Sequence, residues 1–326
     1  MLFSAPVTLL AIACPVLAQT AQVPAPNVSI KVNVVDGNGQ TVPGLTRDNF
    51  RVRLNGKPAA LLDAHYGVVP GRIVVLLDVS GSMTAQVASA KWEIAREAAL
   101  DLLTHQRDDV PIALLTFSRQ VRDRFDFHQG REAITKWLEE RPAAPFSKGD
   151  NRTALFDAVS DALQLLQPYQ LGDVVYAITD GGDNASKTSA ASLRAALLNS
   201  GVRLFAFSFA EHTSIPIEGP EIEHEHSFFK LIEDSGGIAF GVWGQQLLPP
   251  GDFEFVNDKH NQETVAKSSR RLSVLVHDFW TLDLVAPSNK PPSVTLEVID
   301  SQGKVRKDVT AIYPHVLPGV GAVQSQ

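Results

Sequence analysis

Cysteine is nearly missing from this chain. The single cysteine among 326 residues is Cys14. It falls inside an uncharged apolar run, Leu2 to Leu17, and Val16-Leu17-Ala18 before Gln19 has the small-residue character of a cleavage site. Residues 1–18 therefore read as an export signal, which leaves a mature chain with no internal disulfide. The run is too short for a comfortable membrane span, and the basic residue usual near Met1 is absent. Ala11-Ile12-Ala13-Cys14 loosely resembles a lipidation box, but the segment before Cys14 is short for one, so an ordinary apolar-region residue is the preferred reading. The expectation is a secreted or periplasmic protein with no transmembrane span in its mature chain.

Positive charge is also scarce. The formal net charge is -7, and no basic block is longer than Arg270-Arg271, which argues against nucleic acid as a partner. Familiar catalytic frames are missing too. No Gly-rich loop ends in Gly-Lys-Ser/Thr. Val79-Ser80-Gly81-Ser82-Met83 lacks the G-x-S-x-G frame of a nucleophile elbow. No histidine lies in the three oxygen-bearing segments around Asp78, Thr153 and Asp180, so an acid–base pair is lacking and the chain is not expected to be an enzyme.

Apolar residues are plentiful at 44%, enough for a core, and the length suits two or three domains. The apolar run Ile73-Val74-Val75-Leu76-Leu77 reads as a buried parallel strand. Asp78-Val79-Ser80-Gly81-Ser82 follows it, putting a carboxylate and two hydroxyls where the strand ends. Ligands of open α/β sheets bind beyond the carboxyl ends of strands, and oxygen donors at alternate turn positions suit a hard cation such as Mg²⁺. Two later segments offer more oxygen. Thr153 opens the helix-like Thr153-to-Val159 stretch; taken alone such a residue is more often a helix N-cap than a ligand. Asp180 ends the apolar strand Val174-to-Thr179 and precedes Gly181-Gly182, where a plain turn former is the bland alternative. If the two strands are neighbours, Asp78 and Asp180 face one crevice.

These residues resemble the von Willebrand factor type A family with a metal-ion-dependent adhesion site, whose pattern is D-x-S-x-S, then a distant Thr, then a distant Asp. Asp78, Ser80, Ser82, Thr153 and Asp180 match all five positions. The resemblance implies direct metal ligation by the hydroxyls of Ser80, Ser82 and Thr153, with Asp78 and Asp180 acting largely through bound water. The implied ion is Mg²⁺, or Mn²⁺ or Ca²⁺. Three neutral hydroxyls leave such an ion electrophilic, so the expected function is cation-dependent capture of an Asp or Glu carboxylate on a protein partner. The alternatives are a metal-dependent hydrolase and an envelope module in which the metal only staples loops together.

The expected fold class is α/β, a doubly wound, mostly parallel Rossmann-like sheet with small antiparallel β units at its flanks. After the signal, residues 19–26 read as a linker. Residues 27–68 form a small β domain, with period-two alternation in Val28-to-Val34 and Phe50-to-Leu54. Within it, Val42-to-Thr46 and Asp48-to-Val52 resemble the start of a bacterial secreted group of type A proteins. Residues 71–250 make the type A domain, including a helix ending at Ser200-Gly201. Glu211 to Ser227 reads as an acidic loop; Glu221-to-His226 could hold zinc through His224 and His226, but two histidines lack two further ligands, and a solvated loop is preferred. Residues 251–316 form a β-rich region, with a helix near Asn261–Ser268 and strands at Leu272–Val276, Phe279–Val285, Ser293–Ile299 and Val309–Tyr313. It either stands alone or packs with the N-terminal unit to hide strand edges. A disordered tail is expected from Leu317 to Gln326.

Overall fold

The structure is a computed structural model that describes residues 27–68, 71–84, 89–141, 152–210, 220–246, 253–285 and 291–318. The export signal, the leader as far as residue 26, and residues 319–326 lie outside the described residues.

The chain opens with β1 (Asn27–Asp36), β2 (Phe50–Leu54), β3 (Lys57–Pro58) and β4 (Leu61–Val68). An alternating stretch then follows. It comprises β5 (Ile73–Asp78), the single turn α1 (Gly81–Thr84), α2 (Ser89–His105), β6 (Ile112–Phe117), β7 (Val121–Phe125), α3 (Gly130–Glu139), α4 (Leu155–Leu165), β8 (Val174–Thr179), α5 (Ala190–Ser200), β9 (Arg203–Ala210), α6 (Pro220–Ser235) and β10 (Ala239–Trp243). The last part holds β11 (Gln245–Gln246), β12 (Phe253–Glu254), α7 (Lys259–His277), β13 (Asp278–Val285), β14 (Val294–Val298) and β15 (Val309–Ile312).

The alternating stretch builds one six-stranded sheet in the order β10-β9-β8-β5-β6-β7. All pairs are parallel except β6 with β7. Every residue of β5, β6 and β8 is buried, which is why these strands read as unbroken apolar runs. Successive side chains of β5 point to opposite faces. Ile73, Val75 and Leu77 join a core with Trp92, Ile94 and Leu102 of α2 and Leu272 and Leu275 of α7. Val74 and Leu76 join a second core with Leu155 and Val159 of α4, Leu193 of α5 and Phe228 of α6. Helix α5 ends as expected, with Gly201 in the left-handed region (φ 64°) donating to Leu197 O.

Two expectations fail here. Leu272–Val276 is not a strand but the last part of α7. Val265, Ser268, Ser269, Leu272, Leu275 and Val276 are among its buried residues, a three-and-four spacing that the apolar-polar-apolar run Leu272-Ser273-Val274 masks locally. The Glu211–Ser227 loop is helical from Pro220 onward as the start of α6. The remainder of that segment, residues 211–219, lies outside the described residues, as do the side chains of residues 220–225, His224 among them.

The first and last parts of the chain share their sheets. β1 lies between β13 and β15 in the order β15-β1-β13-β4, and β2 lies between β14 and β3. All these pairs are antiparallel. Ile30, Val32, Val34, Phe50 and Val52 from one end enclose a third core with Trp280, Leu282, Leu284, Leu296 and Val298 from the other. Leu317, expected to begin the tail, is fully buried in this core, and its N–H donates to Pro292 O at 3.0 Å. Arg203 joins this unit to the large sheet. Its guanidinium lies between the rings of Phe205 and Phe279, at 5.2 and 5.0 Å. It donates to Asn33 Oδ1 at 2.7 Å and Leu275 O at 2.9 Å. Among the described residues, no helix is long and apolar enough to cross a membrane.

Candidate metal centre

The large sheet changes winding direction between β5 and β8. From β5 the chain moves to β6 on one side, whereas β8, β9 and β10 build outward on the other. Such a switch point opens a crevice beyond the strand ends. β5 and β8 pair with Leu77 opposite Ile178, so Asp78 and Asp180 both leave the sheet at that crevice.

Asp78 is fully buried and held from both sides. Its Oδ1 accepts the Ser80 N–H at 2.8 Å, and its Oδ2 accepts the Thr179 hydroxyl at 2.7 Å. Burial, and then the nearby Asp180 carboxylate, push the Asp78 carboxyl up to about 7, against the opposing hydrogen bonds from Ser80 and Thr179. Ser80 is buried and Ser82 exposed; their Oγ atoms lie 3.1 Å apart. The turn is closed by Met83 N–H and Thr84 N–H, both donating to Ser80 O, at 3.1 and 3.0 Å.

Asp180 is half-buried, and its Oδ2 lies 3.3 Å from Lys91 Nζ of α2. The Gly181 N–H donates to the Thr179 hydroxyl at 3.1 Å. Gly181 stands at φ 85°, where a side chain would strain the loop. Thr153 is buried at 5% exposure. It does not cap α4: the N-cap is Ala154, with no side-chain cap bond. Its backbone is fastened to the loop after β8, accepting from Asn184 N–H and Ala185 N–H at 3.0 Å each and donating to Asn184 Oδ1 at 2.9 Å. The next residue, Ala154, donates to Ser118 O at 2.7 Å, and Phe117 O accepts Val79 N–H at 2.8 Å. These bonds bring the Thr153 segment to the same end of the sheet as the Asp78 turn.

The geometry thus joins Asp78, Ser80 and Ser82 directly, with Asp180 at the end of the neighbouring strand and Thr153 on an adjoining, tightly pinned segment. Sequence reasoning missed Lys91, Thr179 and Asn184. Lys91 carries the one usable signal, a lysine beside the apolar helical positions Ala90 and Ile94.

Residues 73–182 match the sequence profile of the von Willebrand factor type A domain. The chain contains a type A domain. The match spans the Asp78 turn, Thr153 and Asp180. No protein of curated function matches the chain. Among solved structures, the chain is similar to BatB from Bacteroides thetaiotaomicron, at 18% identity and a TM-score of 0.44, covering 63% of this chain and 98% of that one. It is similar to an aerotolerance-related membrane protein from Bacteroides fragilis, at 18% identity and a TM-score of 0.44, covering 62% and 98%. A von Willebrand factor type A protein from Catenulispora acidiphila aligns at 14% identity and a TM-score of 0.42, covering 90% and 74%.

The donor set of the type A domain fits a hard divalent cation. Asp78 and Asp180 follow from neighbouring strands, the Ser80 and Ser82 hydroxyls are in contact, and the Asp78 carboxyl is raised partly by Asp180. A cation between them would relieve that repulsion, and its ligands would all be oxygen. A different group, Asp63, His65 and Asp283, brings its ligand atoms within 4.8 Å of one another on β4 and β13. It shares no residue with this set.

Proposed function

We propose that the chain is a divalent-cation-dependent protein-binding module that works outside the cytoplasm. In this reading Ser80, Ser82 and Thr153 give hydroxyl oxygens to Mg²⁺ or a similar ion. Asp78 and Asp180 balance its charge and hold its water. The bound ion supplies an electrophilic position for an Asp or Glu carboxylate of the partner. The chain's own part is to hold the donors still. Thr179 and the Ser80 N–H fix Asp78, and the Asn184 and Ala185 N–H groups fix the Thr153 backbone.

One observation carries this reading: Asp78 and Asp180 leave neighbouring strands at the switch point of a parallel sheet, beside two touching serine hydroxyls. Among the described residues, no histidine or cysteine is bonded to these groups, which favours binding over turnover. Titration calorimetry with Mg²⁺ and Mn²⁺ on the wild type and on Asp78→Ala tests the proposal. We expect heats from the wild type only; equal heats from both proteins would refute it. Capture of an acidic partner from native extract should then be lost with chelator and with Ser80→Ala. A melting temperature that falls on chelation while capture persists would point to a structural staple instead.

A further inference from the structure

The strongest unassigned feature is the ammonium of Lys91. It comes from α2, is 5% exposed, and sits 3.3 Å from Asp180 Oδ2 and 4.9 Å from the centre of the Phe255 ring. Phe255 is itself buried and packs edge-on against Phe209 of β9 at 5.6 Å. The ammonium is therefore held from two directions, by a carboxylate and by the face of an aromatic ring. The other buried carboxylate of the loop, Asp183, is engaged elsewhere: its Oδ2 accepts Phe156 N–H at 2.9 Å and the Ser186 hydroxyl at 2.6 Å.

We propose that Lys91 is a resident counter-charge that weakens the site's hold on its cation and strengthens the loaded site's hold on a partner carboxylate. This rests on the cation-binding reading above. With both carboxyls ionised, as a bound ion would hold them, Asp78, Asp180 and Lys91 together carry one negative charge. A dication reverses that to one positive charge, and an incoming carboxylate brings the sum to zero. Without Lys91 the loaded site is already neutral, so the outside acid gains little from entering. The Phe255 ring gives the ammonium a place to stay when Asp180 turns toward the ion or its water. Lys91 is thus a positioning residue that sets the order of events, cation first and acid second, through charge rather than contact with either ligand.

The two halves of the proposal move in opposite directions, and that is the test. Lys91→Met keeps the apolar stem against Phe255 and removes the charge; Lys91→Arg keeps the charge. Lys91→Gln stands in if the methionine variant does not fold by circular dichroism. In calorimetry, the methionine variant should bind Mg²⁺ about tenfold more tightly than wild type, a factor within reach of one like charge at close range. With Mn²⁺ saturating, acetate serves as the carboxylate probe, followed by relaxation of its methyl protons. The neutral variant should bind acetate severalfold more weakly, and the arginine variant should follow wild type in both measurements. Mg²⁺ affinity that is unchanged or lower in the neutral variants overturns the role of Lys91, as do two affinities that move together. A wild type that binds no Mg²⁺ overturns the cation-binding reading itself.

Discussion

The hydroxyl of Thr179 serves two neighbours at once, donating to Asp78 Oδ2 at 2.7 Å and accepting the Gly181 N–H at 3.1 Å. Replacing it with the near-isosteric valine leaves a buried carboxylate and a turn N–H short of a partner. We expect Thr179→Val to lower unfolding stability by about 1–3 kcal/mol, measured by urea denaturation, and to weaken Mg²⁺ binding in calorimetry. Loss of stability without any change in Mg²⁺ affinity would separate Asp78 from the cation. Nothing in the sequence distinguishes Thr179 from a final strand residue, because its role depends on which strand lies alongside. Asp78, Ser80 and Ser82 drew notice because three oxygen side chains follow a buried strand at alternate positions, although Asp and Ser are common in turns for local hydrogen-bonding reasons. Thr153 and Asp180 were legible only by resemblance, since each alone suits a cap or a turn. Lys91 escaped because its partner lies 89 residues away in the chain.

Helix α7 shows how a short window misleads. Leu272 is fully buried at the junction with α2, among Trp92, Leu102 and Val265. Leu272→Ala should therefore cost about 2–5 kcal/mol in urea unfolding, whereas Arg270→Ala, on an exposed position, should lie within about 0.5 kcal/mol of wild type. Strand β1 makes a second prediction. Lys31 projects from it and donates to Gly201 O at 2.8 Å. The side chain as a whole is half-buried, but desolvation of its ammonium and then the neighbouring Arg203 lower its pKa to about 7 from an ordinary 10.5, against an opposing pull from Asp173. Below about 7 both folded and unfolded chains hold this proton. Between about 7 and 10.5 only the unfolded chain holds it, so the Lys31 contribution makes stability rise with pH across that window. Wild type should gain on Lys31→Met as the pH is raised from about 6.5 to about 9.5, compared by urea unfolding. A pH-independent difference between the two would show that the Lys31 ammonium is not desolvated in the fold.

At the scale of the molecule, the doubly wound sheet was readable from its unbroken apolar strands, but the union of the two chain ends was open until the pairing was seen. Alternation reveals that β1 and β13 each have one buried face; it says nothing about which distant strand completes the sheet. A chain truncated after His277 would lose β13, β14 and β15, leaving β1 without either neighbour and β2 with β3 alone. Limited proteolysis of that chain should cut within residues 27–68 while residues 73–210 resist. Equal resistance of both segments would mean that the first unit stands without the last.

The placement of β1 also fixes the order in which a newly made copy can mature. Val32 meets Trp280, and Val35 meets Thr310. At roughly 5–20 residues per second, translation leaves the earliest strand waiting on the order of 10–50 s for both of its flanking neighbours. Among the described residues β1 is the earliest strand, and both of its neighbours, β13 and β15, come from the last part of the chain. Until they arrive, β1 is an alternating apolar ribbon with both edges bare, and a holdase able to cover it should raise the yield of folded protein.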